Sequence, residues 1–576
     1  MSIQKVYVLL LLLGFTLISI KNIEAQNLEL IGSENPIKIT GGISTSQVLY
    51  TASGIDARRD PYNYFFSGNM NFNIYGWNVP LSFTYSNQNS TFQQPFNQYG
   101  LHPSYKWVTG HMGYVSMSFS PYTLSGHLFQ GVGVDLTPEG KFKFSAMYGR
   151  LQKAVEMDSL SEETVIPYFK RMGYGFKATY GDGSDYISVI LFGAKDDVNS
   201  ISYVPEEEGV LPEENLVMSV SGGKSLFGKV AFNIEFASSG LTRDVRAQKT
   251  TLVKENLFNY AGDVFTPKTT SNYYNAIKST LTYKEDIYSL GIGYERIDPE
   301  YRTLGAYYFN NDLENITANA TIAFFSGKVN VSVNVGKQRD NLEKNKVSTL
   351  SRWVGSTNIA YAVNQKLNLS GSYSNFQSYT NIRSQFVDIN QLTPYDNLDT
   401  LNFTQISQNA NLNAGYIIST NEERRQNLNL NLSFQDAADE QGGIEQSSGS
   451  QFYSANASYN MNLVPKNTNI TVAFNYNKNK SGDINSATLG PTLAVSKSFL
   501  QKKVKAIFSS SMNNSYSNNV RLNQVMNFRL TGTYSIKKKH NINLSMIMVN
   551  RNTSSVESAT TDFTEFTTTL GYNYNF

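Results

Sequence analysis

The chain has no cysteine, and charged residues make up only 16% of its 576 residues. The missing thiols exclude disulfides, cysteine zinc sites, iron–sulfur clusters and a lipid anchor on an N-terminal cysteine. Charged residues reach about 25% in an ordinary soluble domain. The net charge is +2 and no sustained basic stripe occurs, so we expect no nucleic-acid partner.

Long apolar runs are also missing beyond the N-terminus, although the chain carries 37 Tyr and 34 Phe. The mean hydropathy is slightly negative, whereas a helical membrane protein would be strongly hydrophobic. The polar share is carried by Asn, Ser, Thr, Gln and Gly. This composition is typical of a transmembrane β-barrel, because half of each strand faces a wet lumen.

The one apolar run follows Lys5 and extends from Val6 to Ile20. Its fifteen residues fall short of the roughly 18 that a transmembrane helix needs. Ile23-Glu24-Ala25 then precedes a polar segment. We therefore expect a signal peptide over 1–25, a short periplasmic segment over 26–35, and a barrel over 36–576.

The mature chain alternates apolar and small polar residues in many segments. Clear examples are 329–335, 367–370, 428–434, 470–477 and 542–548. A period of two places all apolar side chains on one face of a strand. A soluble sandwich and a membrane barrel both produce this pattern. Segments of nine or more residues and a polar face poor in Lys and Glu favour an all-β, transmembrane antiparallel barrel.

Connections between these segments alternate between short turns and long loops. We expect the short turns in the periplasm and the long loops outside the cell. The eleven short turns predict 24 strands, and a further turn near Thr109-Gly110 would raise the count to 26. The turns lie near 77, 139, 183, 228, 285, 327, 364, 421, 466, 501 and 538.

The C-terminal strand ends in Gly571, Tyr574 and Phe576. This ending resembles the signal that the outer-membrane assembly machinery reads. A final strand with an exposed edge can pair with a strand of that machinery before the barrel closes. The other interpretation is an aromatic residue that belongs to the interfacial girdle.

Together these features resemble the large outer-membrane barrels of Bacteroidota. The resemblance covers the mature chain and implies contact with outer-membrane lipid, lipopolysaccharide and the barrel assembly machinery. TonB-dependent transporters carry an N-terminal plug domain. Strand signals here begin near Pro36, so we expect no plug domain.

The segment 90–130 is interrupted by Pro and Gly and holds three of the four histidines. Our hypothesis is an inward-folded constriction carrying His102, Trp107, His111 and His127; the alternative is an irregular extracellular loop with one extra hairpin. The histidine spacing matches no zinc pattern, so we predict no metal site and no cofactor.

Two charged segments are further candidates. Glu206, Glu207, Glu208, Glu213 and Glu214 could bridge a divalent cation to lipopolysaccharide phosphates, or form a solvated loop. Mixed charges over 295–302 could order an extracellular loop through ion pairs.

No compact acid–His–nucleophile cluster is evident, so we do not expect an enzyme. The sequence favours a channel or transport pore for polar solutes, with a lumen occluded by inward loops. The alternative is an accessory barrel of a larger outer-membrane assembly or secretion complex, with a protein partner filling the lumen.

Overall fold

The architecture was obtained as a computed structural model. It describes residues 37–87, 97–156, 167–202, 210–250, 258, 261, 264–307, 310–344, 351–375, 408–437, 440–441, 444–445, 450–537, 539–554 and 561–576. The predicted signal peptide and the segment 26–35 lie outside these residues. In the described part of the chain, no helix is long and apolar enough to cross a membrane.

The main sheet contains 27 hydrogen-bonded segments. Gln98–Leu101 and Ser104–Tyr105 lie between the same two neighbours and form one interrupted strand, so the sheet has 26 strands. The strands are β1 Ile37–Ser53, β2 Tyr62–Ile74, β3 Trp77–Ser86, β4 Gln98–Leu101 with Ser104–Tyr105, β5 Val108–Ser118, β6 Ser125–Leu136, β7 Phe142–Gln152, β8 Lys170–Asp182, β9 Asp185–Asp197, β10 Glu214–Leu226, β11 Val230–Thr242, β12 Ser271–Lys284, β13 Tyr288–Ile297, β14 Leu313–Phe324, β15 Val329–Arg339, β16 Ser351–Ala362, β17 Leu367–Ser374, β18 Gln408–Thr420, β19 Arg424–Ala437, β20 Ser450–Leu463, β21 Thr468–Ser481, β22 Ile484–Phe499, β23 Val504–Ser517, β24 Val520–Ile536, β25 His540–Thr553 and β26 Phe563–Asn575.

Each strand pairs antiparallel with the next, and β26 returns to pair with β1. This closing seam runs from Gly42 opposite Asn575 to Ser53 opposite Thr564. The sheet is therefore a closed barrel without free edges. The larger of the two predicted strand counts is confirmed, and the additional turn is at Lys106 and Trp107, slightly before Thr109-Gly110.

The side-chain alternation follows the predicted pattern. On β19, Leu428, Leu430 and Leu432 are exposed on the outer surface, while the alternate face carries Asn429 and Asn431. An outer band of exposed apolar side chains around a polar interior is the arrangement that a lipid bilayer stabilises. The chain is therefore a β-barrel of the bacterial outer membrane that crosses the bilayer with its strands.

The two ends of the barrel differ in their connections. All eleven predicted short turns lie at strand junctions of one end, which is the periplasmic end in outer-membrane barrels. The opposite end carries the long loops, but also two tight turns, Gly482-Asp483 and Asn518-Asn519. Asn518 and Asn519 have φ of 46° and 69°, as a two-residue hairpin requires.

One long loop folds back over the outside of the barrel. Phe258 and Phe265 from the β11–β12 connection are fully buried against the outward-facing Leu216 of β10. The Phe258 ring lies over Gly240, where an added Cβ would come within 2.9 Å of it. This outer flap (the described residues of 243–270) replaces lipid with protein contacts at the extracellular ends of neighbouring strands.

Candidate functional site in the lumen

Two extracellular connections enter the barrel and bind each other. They are 119–124, between β5 and β6, and 298–307, between β13 and β14; we call them the inward loop pair. Tyr301 donates its hydroxyl hydrogen bond to the Tyr122 carbonyl at 2.8 Å, and Thr303 Oγ1 donates to the Thr123 carbonyl at 2.7 Å. Both Tyr122 and Tyr301 are fully buried.

Contacts with the wall place the inward loop pair on the lumen side of the barrel. Tyr122 hydroxyl donates to Glu295 Oε1 on β13, although Tyr122 itself follows β5. Lys177 Nζ on β8 donates to the Phe119 carbonyl at 2.8 Å. Leu304 N donates to Asn215 Oδ1 on β10 at 3.1 Å. The loop pair thus contacts strands distributed around a large arc of the wall.

Apolar packing holds the loop pair in place. One cluster includes Phe119, Leu124 and Leu304 from the loops, and a second contains Tyr122 and Tyr301. The remaining buried members come from the surrounding wall strands: Val115, Met117, Phe129, Met147, Leu151, Ile190, Phe192 and Ala194 in the first, and Val217, Ala237, Leu241, Tyr274, Ala276 and Ile297 in the second. Burial of this apolar surface contributes roughly 25 cal/mol per Å².

Gly305 permits a close approach of the two loops to each other and to the wall. A Cβ at position 305 would lie 2.7 Å from the Thr123 carbonyl oxygen and 2.8 Å from the Phe192 ring. Any larger residue would therefore push the two loops apart or away from the wall.

An ionic network lies next to the loop pair. Arg171 on β8 forms a two-point contact with Asp196, at 2.7 and 2.8 Å, and a 3.0 Å contact with Glu213. Arg302 of the loop binds the other Glu213 oxygen at 2.7 Å. The Arg171 and Asp196 side chains are almost fully buried, so their charges depend on each other for compensation.

A second ionic contact fixes the start of the same loop. Arg243 Nη2 lies 3.0 Å from Glu300 Oε2, and Tyr274 hydroxyl donates to that oxygen at 2.6 Å. The Tyr274 hydrogen bond, together with the Arg243 charge, holds the pKa of the Glu300 carboxyl below its usual value. Charged residues of the segment 295–302 thus form ion pairs, as predicted, and the ordering of the loop by these pairs stays a prediction.

The four predicted constriction residues do not form one group. His102 Nδ1 and His111 Nδ1 are 2.9 Å apart, and His111 Nε2 is 2.8 Å from Asp135 Oδ2. Trp107 lies instead in the turn between β4 and β5. His127 lies near the extracellular end of β6, stacked on Tyr307 with ring centroids 4.1 Å apart. A lumen constriction by these residues stays a prediction.

The His102–His111 group does not have the arrangement of a catalytic or metal centre. Ser145 hydroxyl donates to Asp135 rather than to an imidazole, so no base is placed to activate it. Among the described residues, no group of three or more His, Asp or Glu could hold a metal ion. His111 Nε2 faces Asp135 while its Nδ1 faces His102, so the three side chains do not converge.

The predicted acidic loop is divided. Glu206, Glu207 and Glu208 lie outside the described residues. Glu213 joins the Arg171 network, whereas Glu214 pairs with Lys195 at 3.1 Å. Cation bridging by this segment stays a prediction.

The lumen face of β14–β24 is different, because amides and hydroxyls line it. Asn456 Nδ2 donates to Asn475 Oδ1, and Asn475 Nδ2 donates to Thr492 Oγ1 at 3.2 Å. Thr471 Oγ1 donates to Asn460 Oδ1 at 2.6 Å on the same wall. A groove of about 590 Å³ runs along it, lined in part by Asn330, Asn368, Ser370, Asn413, Asn429, Asn431, Asn456 and Ser458.

The predicted assembly signal lies at the seam. Gly571 is opposite Ser46 of β1, and the Phe576 amide donates to the Gly41 carbonyl at 2.9 Å. Tyr574 and Phe576 rings are 5.1 Å apart. Their role in assembly is a proposal that the folded geometry does not test.

Sequence analysis predicted an inward fold within 90–130, which contains 119–124, but named His102, Trp107, His111 and His127 as its residues and did not find the partner loop 298–307. The available signal was the content of the short connection 119–124, where Phe119, Tyr122 and Leu124 occur although surface loops are usually polar. Apolar residues in a connection indicate a buried position, which here is the lumen for 119–124 and the outer surface of the barrel for Phe258 and Phe265.

No protein-family model matches the sequence, and no curated protein matches it. Several solved structures align over most of the chain. The P pilus usher PapC translocation pore is 9% identical, with 93% of this chain and 99% of that chain covered and a TM-score of 0.36. The FrpB iron transporter from Neisseria meningitidis is 9% identical, with 96% of this chain and 83% of that chain covered and a TM-score of 0.37. The copper transporter OprC is 8% identical, with 93% of this chain and 80% of that chain covered and a TM-score of 0.36. Identities and TM-scores this low do not indicate the function of this chain.

Proposed function

We propose that the barrel is an outer-membrane conduit for polar solutes and that the inward loop pair occludes part of its lumen. The observation that carries the proposal is the uneven lumen. Apolar clusters and the loop pair occupy the side formed by β5–β14, while amides and hydroxyls line β14–β24. Polar solutes can exchange hydrogen bonds with such an amide wall at little cost.

The strand number supports an internal closure. Barrels of about 16–18 strands already leave an aqueous channel, and wider transporters are plugged. An open lumen of 26 strands would compromise the membrane, so a wide conduit needs an internal closure. The loop pair is fixed by hydrogen bonds, apolar packing and ion pairs, as a closure must be.

The test is conductance of purified protein in planar bilayers. We expect small, stable steps from the natural chain and larger steps from Gly305→Val, because the added side chain displaces the loop pair. Gly140→Val is the matched control, since no atom lies within 4 Å of a Cβ there. Absence of steps from all three proteins would contradict the conduit, and equal steps would contradict occlusion by the loop pair.

The second candidate function is an accessory barrel whose lumen holds a protein partner. The amide-lined groove along β15–β20 favours it, because such a wall can also hydrogen-bond a polypeptide backbone. Purification in mild detergent from the native membrane tests this function. A stoichiometric second protein, lost on Asn429→Leu with Asn431→Leu, is expected from it; a monomer alone would contradict it.

A further inference from the structure

A second lumen cavity, of about 570 Å³, lies against the end of β5 at Ser118 and residues 119–121 of the inward loop pair. Its charged lining comes from β7, β8, β11 and β12 as Lys143, Lys177, Glu235 and Lys278. We propose that this cavity binds solutes that carry carboxylate or phosphate groups, through the ammonium groups of Lys143 and Lys177. The inference rests on the proposed conduit only in supplying a route for such solutes to the cavity.

The carboxylates near the cavity already have partners. Glu235 accepts a hydrogen bond from Ser219 at 2.8 Å, and Asp135 binds His111 and Ser145. Lys278 is 3.4 Å from Glu295. Asp135 is therefore engaged by His111 and Ser145, whereas Glu235 keeps its negative charge because Ser219 is a neutral donor. The cavity lining still carries more positive than negative charge, with three lysines against this one carboxylate.

The two remaining lysines are differently placed. Lys177 Nζ donates to the Phe119 carbonyl, a neutral acceptor. Lys143 is exposed to the lumen, and among the described residues it forms no ion pair. Two ammonium groups on the adjacent strands β7 and β8 thus point to a site for an anion. The low-dielectric walls of the lumen strengthen the attraction between these ammonium groups and the anion.

Hydroxyl groups complete the lining. Ser118, Ser221 and Thr280 border the same cavity, and a hydroxyl can donate to an anionic oxygen. Charge-assisted hydrogen bonds of this kind are roughly twice as strong as neutral ones. A neutral sugar in the same cavity would gain no comparable charge-assisted contribution to its binding.

The site can be tested by lysine footprinting in detergent, which needs no conductance. The protein is acetylated briefly with N-hydroxysuccinimidyl acetate, and peptides are quantified by mass spectrometry. Succinate and inorganic phosphate are the two anion arms, with glucose and equal ionic strength of sodium chloride as references. Lys505 is the internal control, because it lies on the lumen side of β23, away from this cavity.

We expect succinate, phosphate or both to slow Lys143 acetylation at least threefold without affecting Lys505, and glucose to have no effect. Protection by succinate would identify a carboxylate as the preferred group, and protection by phosphate would identify a phosphate. Equal protection of Lys143 and Lys505, or protection of neither, would overturn the proposal. In bilayers, Lys143→Met should lower the anion preference measured by reversal potential, whereas Lys505→Met should not.

The two proposals fail separately. Protection of Lys143 without conductance would retain the anion site and remove the conduit. Conductance without protection, and with unchanged ion preference in Lys143→Met, would retain the conduit and remove the anion site.

Discussion

Tyr301 donates a hydrogen bond to the backbone carbonyl of Tyr122 at 2.8 Å, across 179 residues of sequence. Both side chains are fully buried inside the barrel. The bond joins two loops that leave the wall at β5 and β13, so it stabilises their association rather than either hairpin. Neighbouring Thr303 and Gly305 also bind the 119–125 segment through Thr123 and Ser125.

Tyr301→Phe should therefore weaken the inward loop pair. The substitution keeps the ring but leaves the buried Tyr122 carbonyl without this donor, which costs about 1–3 kcal/mol. Thermal unfolding in detergent should show a lower midpoint for the variant. Tyr85→Phe, at a side chain that is 52% exposed, is the control and should change little; an equal shift for both variants would contradict the assigned role.

Arg171→Met should be more damaging. It leaves Asp196 buried without its two-point partner, and breaking such a buried pair costs about 3–5 kcal/mol. Arg171→Met with Asp196→Leu removes the orphaned charge and should recover part of the loss. Lys224→Met breaks the exposed pair with Asp185 and should change stability little, because solvent screens such a pair. Chemical unfolding measures all four proteins, and no recovery in the double variant would argue against charge burial as the cause.

The Glu300 contact should depend on pH. Tyr274 and Arg243 hold the pKa of Glu300 below its usual 4.5, so the folded state favours the carboxylate. This contribution to stability is present above pH 4.5 and is lost as the pH falls through the lower folded pKa. Glu300→Gln removes the charge and keeps a side chain of similar size at this position, whose φ is 60° in the natural chain.

The stability difference between the natural chain and Glu300→Gln should therefore be present at pH 7 and disappear on acidification. Unfolding midpoints between pH 3 and 7 provide the measurement. High salt should reduce the difference at pH 7, because the contact is partly exposed and screened. A difference that is constant with pH would contradict the assignment.

Much of the fold could be predicted from the sequence because lipid imposes a simple rule. Leu428 faces lipid and its neighbour Asn429 faces the lumen, and the same alternation recurs along the strands of the barrel. The turns could be located for the same reason. The alternation of apolar and polar residues stops where each strand leaves the bilayer, and the turn begins there.

The lumen contacts could not be predicted, because they join distant residues without a local pattern. Tyr122 meets Glu295, and Leu304 meets Asn215, only after the barrel has closed. The histidines attracted attention by composition, yet His102 and His127 lie far apart along different strands. Their spacing in sequence contains no information on register around the barrel.

Phe576 offers a test of the predicted assembly signal. Phe576→Ala removes the final ring but leaves the backbone amide that binds the Gly41 carbonyl. If the machinery reads this residue, the amount of folded protein in the outer membrane should fall several-fold, while refolding of the purified chain in detergent should be unchanged. Phe499→Ala, at another outward-facing aromatic residue, is the control. Equal losses in the cell would indicate a general girdle effect.

Phe258→Ala should loosen the outer flap without opening the barrel. The ring is fully buried over Gly240 and beside Phe265, and its removal costs about 3 kcal/mol or more. Because proteolysis follows the population of the opened state, trypsin cleavage within 243–270 should accelerate by about a hundredfold, while the heat-resistant mobility of the barrel on gels persists. Phe227→Ala, at a ring that is 95% exposed in a turn, should leave cleavage unchanged. Faster cleavage at sites throughout the chain would show instead that Phe258 stabilises the whole barrel.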